Sequence, residues 1–249
     1  MRIVGIDTAS GTASVALVED GLLLAERTDS VYKAAGYANR RNSNHAETLL
    51  PLLELLFEST GLSLQDIDGF ALSIGPGSFT GLRIGLSTIK GLAYGWQIPV
   101  VGVSTLSAHA SRVIDNQGLI CALLDARKNE VYAALFRKAD GIVDRVTEDA
   151  VTSVVNVIEM IQDYQPGAPC LFIGDGAGVY ADLLMGLPGA HILETTNYPT
   201  VAATVARLGE DRFRSNSVED LGALTPVYLR QSEAEFKRRS SLNSSIIRR

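Results

Sequence analysis

The stretch closest in composition to ligand chemistry is Gly75-Pro-Gly-Ser-Phe-Thr-Gly81. It lies between an apolar run, FALSIG, and a helical one. Its backbone N–H groups would therefore sit at a helix start, where unpaired donors and the helix dipole can hold an anion. The spacing is neither the dinucleotide G-x-G-x-x-G nor a phosphate loop ending in Lys-Ser or Lys-Thr, and a sharp structural turn accounts for it equally well. Other chemical ingredients are sparse. The three histidines, His45, His109 and His191, form no H-x-x-x-H pair, and metal binding needs several ligands. No G-x-S-x-G nucleophile elbow occurs. Cys121 and Cys170, 49 positions apart inside apolar runs, read as two buried, reduced thiols. Glu47, Glu54 and Glu58 share a helix face and read as a solvated stripe rather than paired acid–base groups.

The chain has 249 residues, 46 % hydrophobic and 20 % charged, a composition typical of a soluble globular protein. That length accommodates one large domain or two of roughly 100–150 residues. MRIVGIDTAS has no apolar signal-peptide core, and no uninterrupted apolar stretch reaches the ~20 residues that span a bilayer. A reducing cytoplasm is the expected location, with no membrane partner. The net charge is −6; residues 237–249 carry five basic and no acidic residues, so setting them aside leaves the rest at −11. An acidic body argues against broad, independent nucleic-acid binding. The basic, serine-rich terminus reads as a solvated, flexible tail.

RIVGID, ASVALVE and LLLAERT predict three antiparallel strands, the last two joined at Asp20-Gly21. A polar loop occupies 32–44. A helix is predicted over 45–59, capped by Asn44 with Glu47 at capping-box spacing. Then follow a strand at 70–75, a helix at 80–95, a strand at 99–104 and a short helix near 105–113. The order then repeats: a hairpin at 119–126 and 130–137, a third strand from Gly141, a helix at 152–163, a strand at 170–174, and helices near 178–186 and 199–213. Strand–strand–strand–helix–strand–helix twice over predicts a two-lobed actin-like ATPase (ASKHA) fold, made of two ribonuclease-H-like domains with the second copy degenerate. The expected lobes are 1–105 and 106–230, followed by a tail at 231–249.

GPGSFTGLRIGLSTIKGLAYG (75–95) and IPVVGVSTL (98–106), with IDTAS (6–10), SVAL (14–17), LLP (49–51), LDARKNEVY (124–132) and PVYLR (226–230), resemble the TsaB (YeaZ) family over about residues 1–230. The resemblance implies the two-lobed fold and a role in making threonylcarbamoyladenosine beside the tRNA anticodon. It also implies work alongside TsaD, the paralogue that carries the active site, and TsaE, a small ATPase. Asp7 occupies the place where the superfamily holds metal and phosphate. Asp125 heads Ala126-Arg127-Lys128 instead of a glycine turn, so backbone cannot approach a phosphate closely there. Gly174-Asp-Gly-Ala-Gly178 can still line an adenosine pocket. Asp7, Gly174, Gly176 and Gly178 are therefore the residues of a degenerate nucleotide site, with weak ATP or ADP binding at best and no cofactor required. TsaD-like metal histidines would fall on Thr105 and His109; with one position lost, no metal site is expected, and His109 reads as a surface or packing residue. The alternative is a metal-dependent carbamoyl transferase or peptidase of the TsaD-like type.

Two helices look like an interface. Around 45–60 the apolar residues Leu49, Leu50, Leu52, Leu53, Leu55, Leu56 and Phe57 cover an arc of roughly 220°, against roughly 100° for a surface helix. On 80–95 the face with Leu82, Leu86, Ile89 and Ala93 suits a sheet, while Ile84, Ser87, Gly91 and Gly95 lie nearly opposite. The expected interface residues are Leu49, Leu52, Leu53, Leu56, Ile84, Ser87, Gly91 and Gly95. The resemblance implies pairing through these helices, either as a homodimer or with TsaD, and contact with tRNA only through the complex.

Overall fold

Six residues, Arg2–Asp7, form the central strand β1 of the first sheet because both of its faces are covered. Val4 and Ile6 enter one apolar cluster and Ile3 another, which explains the near-continuous apolar run. The computed structural model describes residues 1–29, 45–114, 118–194 and 198–230. The loop at 32–44, its capping Asn44 and the tail at 231–249 lie outside them. β2 (Ser14–Glu19) and β3 (Leu22–Thr28) follow antiparallel. Their two-residue turn places Asp20 and Gly21 at φ 48° and 79°, the left-handed pair that a tight hairpin needs. β4 (Gly69–Gly75) and β5 (Val100–Ser104) add in parallel, giving the order β3-β2-β1-β4-β5. The crossovers are α1 (His45–Thr60) and α2 (Phe79–Trp96), packed side by side on one face. A short helix, α3 (Thr105–Ala110), leads out of the sheet.

The second sheet repeats the plan. β6 (Gly118–Arg127), β7 (Glu130–Ala139) and β8 (Ile142–Arg145) are antiparallel. β10 (Cys170–Ile173) and β11 (Ala190–Ile192) add in parallel beside β6, giving β11-β10-β6-β7-β8, with β9 (Ala150–Thr152) pairing the far end of β7. α4 (Val154–Tyr164) precedes β10. The single helix expected at 178–186 is two short ones, α5 (Asp175–Val179) and α6 (Ala181–Leu184), and the sequence reading missed β9 and β11. Cys121 and Cys170 lie on neighbouring strands as buried free thiols.

The terminal helix of each half crosses to the other. Leu106 and Ala110 of α3 pack with Ile120, Ala122 and Phe136 of the second sheet. α7 (Val201–Arg214) instead inserts Val201, Val205 and Ala206 against Ile3, Val18, Ala71 and Val101 of the first. The approach is close: a Cβ on Gly5 would stand 2.0 Å from the Ala202 carbonyl oxygen. Residues after α7 stay with the first lobe, where Leu224 joins its core and the Val227 N–H donates to Ile74 O at 2.7 Å. The difference from the expected lobes lies in the second, 106–230, and at its end. The second lobe is centred on 118–194, and 198–230 pack largely on the first, because an amphipathic helix is placed by the sheet left uncovered rather than by chain order.

Candidate functional site

The paired helices do not present the face expected of them. Leu49, Leu52, Leu53 and Leu56 are buried, Leu53 at 3 % exposure, and they pack with Val15, Leu17 and Ile89 in the first core. Their spacing of i, i+3, i+4, i+7 is that of a helix face lying on a sheet, so these four are core residues and not interface residues. The other four expected positions differ. Ser87, Gly91 and Gly95 are exposed and Ile84 half-buried, all on the side of α2 away from the sheet. A Cβ on Gly91 or Gly95 would meet no described atom within 4 Å, so nothing among the described residues requires glycine there. Three large apolar residues of these helices that are absent from the expected interface set are exposed: Leu50 (51 %) of α1 and Tyr94 (75 %) and Trp96 (48 %) of α2. The aromatics at the end of α2 were the signal that should have identified them. Trp96 also lines an open groove of about 670 Å³ with Phe57, Leu62 and the carboxylates Glu54 and Glu58.

The second candidate is the cleft between the lobes, where the β1–β2 turn approaches α5: a Cβ on Gly11 would lie 4.0 Å from Asp175 Oδ2. Asp7 is fully buried, and its carboxylate accepts bonds from Ala9 N at 3.2 Å and Ser10 Oγ at 2.7 Å. It thus organises its own turn. Arg112 lies close by, its guanidinium pulled down by burial and held up by the Asp7 and Glu26 carboxylates. Across the cleft, Asp175 accepts from the Asp125 N–H at 3.0 Å, and Arg127 pairs with Asp125 at 3.4 Å. Arg127, Lys128 and Asn129 have φ of 62°, 57° and 60°, a tight hairpin turn that carries three exposed side chains in place of a glycine turn. A Cβ on Gly174 would lie 2.2 Å, and one on Gly176 3.0 Å, from Leu123 O. Packing of α5 on β6 therefore accounts for both glycines without a nucleotide. Gly178 is exposed, with open space around it.

The metal positions of the TsaD-like pattern are absorbed into the packing. Thr105 is buried and its hydroxyl accepts from Gly75 N at 3.1 Å. His109 is buried with neither ring nitrogen hydrogen-bonded. Burial, reinforced by Arg112, lowers its pKa from 6.5 to about 3, which keeps the ring neutral. Among the described residues, no three His, Cys, Asp or Glu side chains are grouped to hold a metal ion. No helix among them is long and apolar enough to cross a membrane.

Two lobes of the same strand order, joined by crossed helices around a central cleft, define a protein of the actin-like ATPase fold. Component A of (R)-2-hydroxyglutaryl-CoA dehydratase from Acidaminococcus fermentans shares that fold alone, at 10 % identity and a TM-score of 0.50 over 85 % of this chain and 98 % of that one. The family described as TsaD, tRNA N6-adenosine threonylcarbamoyltransferase, matches residues 39–238. The tRNA threonylcarbamoyladenosine biosynthesis protein TsaB of Escherichia coli is 36 % identical over 238 residues, 94 % of this chain and 96 % of that protein. The protein of the same name in Bacillus subtilis is 28 % identical over 239 residues, 95 % and 97 % of the two chains. A solved structure described as YeaZ from Pseudomonas aeruginosa matches at TM-score 0.72 and 26 % identity, covering 92 % of this chain and 99 % of that one. The chain belongs to the TsaB (YeaZ) family, within the wider group that the TsaD family description spans.

Proposed function

We propose that this chain is a non-catalytic partner subunit for threonylcarbamoyl transfer to the tRNA adenosine next to the anticodon. It acts in the cytoplasm by binding and activating a TsaD paralogue that carries the catalytic groups, together with the TsaE ATPase. The observation that carries this reading is the outward side of α2: glycines with no described atom above them, with exposed Tyr94 and Trp96 on the same helix and exposed Leu50 on the neighbouring α1. Glycine inside a helix costs about 1 kcal/mol relative to alanine, and monomeric proteins seldom leave clustered apolar residues in water. A helix backbone laid along Gly91 and Gly95 would account for both. A second copy of this chain can use the same face, which makes the homodimer a competitor of the active pairing.

The cleft supports an accessory role. Asp7 is engaged in its own turn and Arg127 and Lys128 stand in the opposing one, so ATP or ADP binds weakly at most and no cofactor is required. The acidic body fits contact with tRNA only through the complex.

The test is reconstitution with the TsaD and TsaE proteins and tRNA, each component omitted in turn, with modified nucleoside as the readout. Omitting this chain should abolish the product, and Gly91→Arg should abolish complex formation while the variant stays folded. Full modification in its absence would overturn the assignment.

A further inference from the structure

The segment after α7 crosses from one lobe to the other at the mouth of the cleft. At its first end it is fixed to the first lobe. Val227 N donates to Ile74 O at 2.7 Å, Tyr228 stacks on Phe79 with ring centroids 4.7 Å apart, and the Tyr228 hydroxyl accepts from Arg83 Nε at 2.9 Å. Three residues after Val227 it reaches the second lobe. Arg230 Nη1 donates to Ala126 O at 3.1 Å, and Arg230 forms an ion pair with Glu130. Ala126 and Glu130 flank the β6–β7 turn, which is one wall of the cleft. The lobes also meet through α3 and α7 and, on the outer side of α3, through Arg145, whose Nη2 donates to Ser104 Oγ at 2.9 Å and Ser107 Oγ at 2.8 Å.

We infer that residues 226–230 are a clasp that fixes the separation of the two lobes, with Arg230 on Ala126 and Glu130 as its catch. The geometry suits that role. The strap limits how far the lobes can part with both ends bonded, since three residues reach only about 10 Å fully extended and the Arg230 side chain adds a fixed length. The catch combines a charge-assisted bond to a carbonyl with an ion pair, a combination stronger than either neutral contact alone. Its side chains are partly exposed, 29 % for Arg230 and 40 % for Glu130, so it can be undone without unpacking a core. The inference concerns this chain by itself and does not depend on the pairing proposed above.

Spin labels at Leu22→Cys in the first lobe and Asp163→Cys in the second, both exposed, report the interlobe distance by pulsed dipolar spectroscopy. The labelled full-length chain is mixed with an excess of unlabelled protein to suppress distances between copies. The two native thiols stay unlabelled because both are buried and their pKa values are pushed up, Cys170 to about 12. With the clasp intact the distribution should be single and narrow. Arg230→Ala should lengthen the mean and at least double the width, and Glu130→Gln should shift it the same way by less. Should Arg230→Ala fail to fold by circular dichroism, Glu130→Gln decides alone. A folded variant whose distribution matches that of the unmodified chain would overturn the clasp and leave the separation to the crossed helices and the Arg145 contacts.

Discussion

Replacing Gly91 by alanine should move two measurements in opposite directions. Gly91 sits inside α2, and a Cβ built on it meets no atom of the described residues within 4 Å. Within the isolated chain the new methyl costs nothing in packing. The helix gains the ordinary preference of alanine over glycine, about 1 kcal/mol. For a chain of this length that corresponds to a rise in Tm of roughly 2–4 °C. Against a partner, the same methyl occupies the space into which a second helix backbone would settle, and a loss of about 1.4 kcal/mol would weaken association roughly tenfold. Urea unfolding at protein concentrations low enough to keep the chain monomeric gives the first quantity, because pairing would otherwise add to the apparent stability. Sedimentation of the chain alone and with the TsaD protein gives the second. A variant less stable as a monomer would mean that glycine serves packing within the chain. A more stable variant that pairs as tightly as before would remove this face from the interface.

Three further outcomes follow from the packing. Leu50→Glu should give a folded chain with weakened pairing, whereas Leu53→Glu buries a carboxylate in the first core and costs several kcal/mol, a large part of a typical domain's 5–15 kcal/mol; equal circular dichroism and equal urea midpoints for the two would contradict the inward placement of Leu53. Gly5→Val should prevent α7 from seating on β1, since even a Cβ would stand 2.0 Å from Ala202 O, and proteolysis should then cut near α7 first; a protease-resistant variant with an unchanged melting temperature would refute the close contact. His109 takes up its proton at about pH 3 when folded and at 6.5 when free, so the unfolded chain binds more protons between those values. Its contribution is full above pH 6.5 and declines as pH falls, by up to about 1.4 kcal/mol per pH unit. His109→Gln should flatten the loss of stability between pH 6.5 and 5.5, and equal slopes for the two proteins would count against a buried neutral imidazole.

The repeated strand order was legible because its signals are local. Asp20-Gly21 forces a hairpin between two apolar runs, and the second hairpin pairs LICALLDA with EVYAALFR. The helix pair was legible only in part. Seven apolar residues on α1 suggested a face too wide for one sheet, yet Leu49, Leu52, Leu53 and Leu56 alone have the spacing of an inward stripe, and α2 beside them shares their burial. What remains outside is Leu50, with Tyr94 and Trp96 from the next helix. The destination of α7 could not be read at all. Its alternating apolar and charged residues specify a buried side, but which sheet lacks a cover depends on contacts almost 200 positions away. The same holds for Arg145 and Arg230, whose partners are set by how the lobes meet.

The crossing of α3 and α7 has a consequence for how the chain is made. A ribosome delivers the five strands of the first sheet early, yet the face formed by Ile3, Val18, Ala71 and Val101 is covered chiefly by residues 201–214, with Ala108 of α3 at its side. Until those emerge, the nascent first half carries an unprotected apolar surface, the condition under which partly made chains aggregate or recruit chaperones. A premature stop anywhere before α7 therefore leaves no finished lobe behind, because the second half holds the cover of the first.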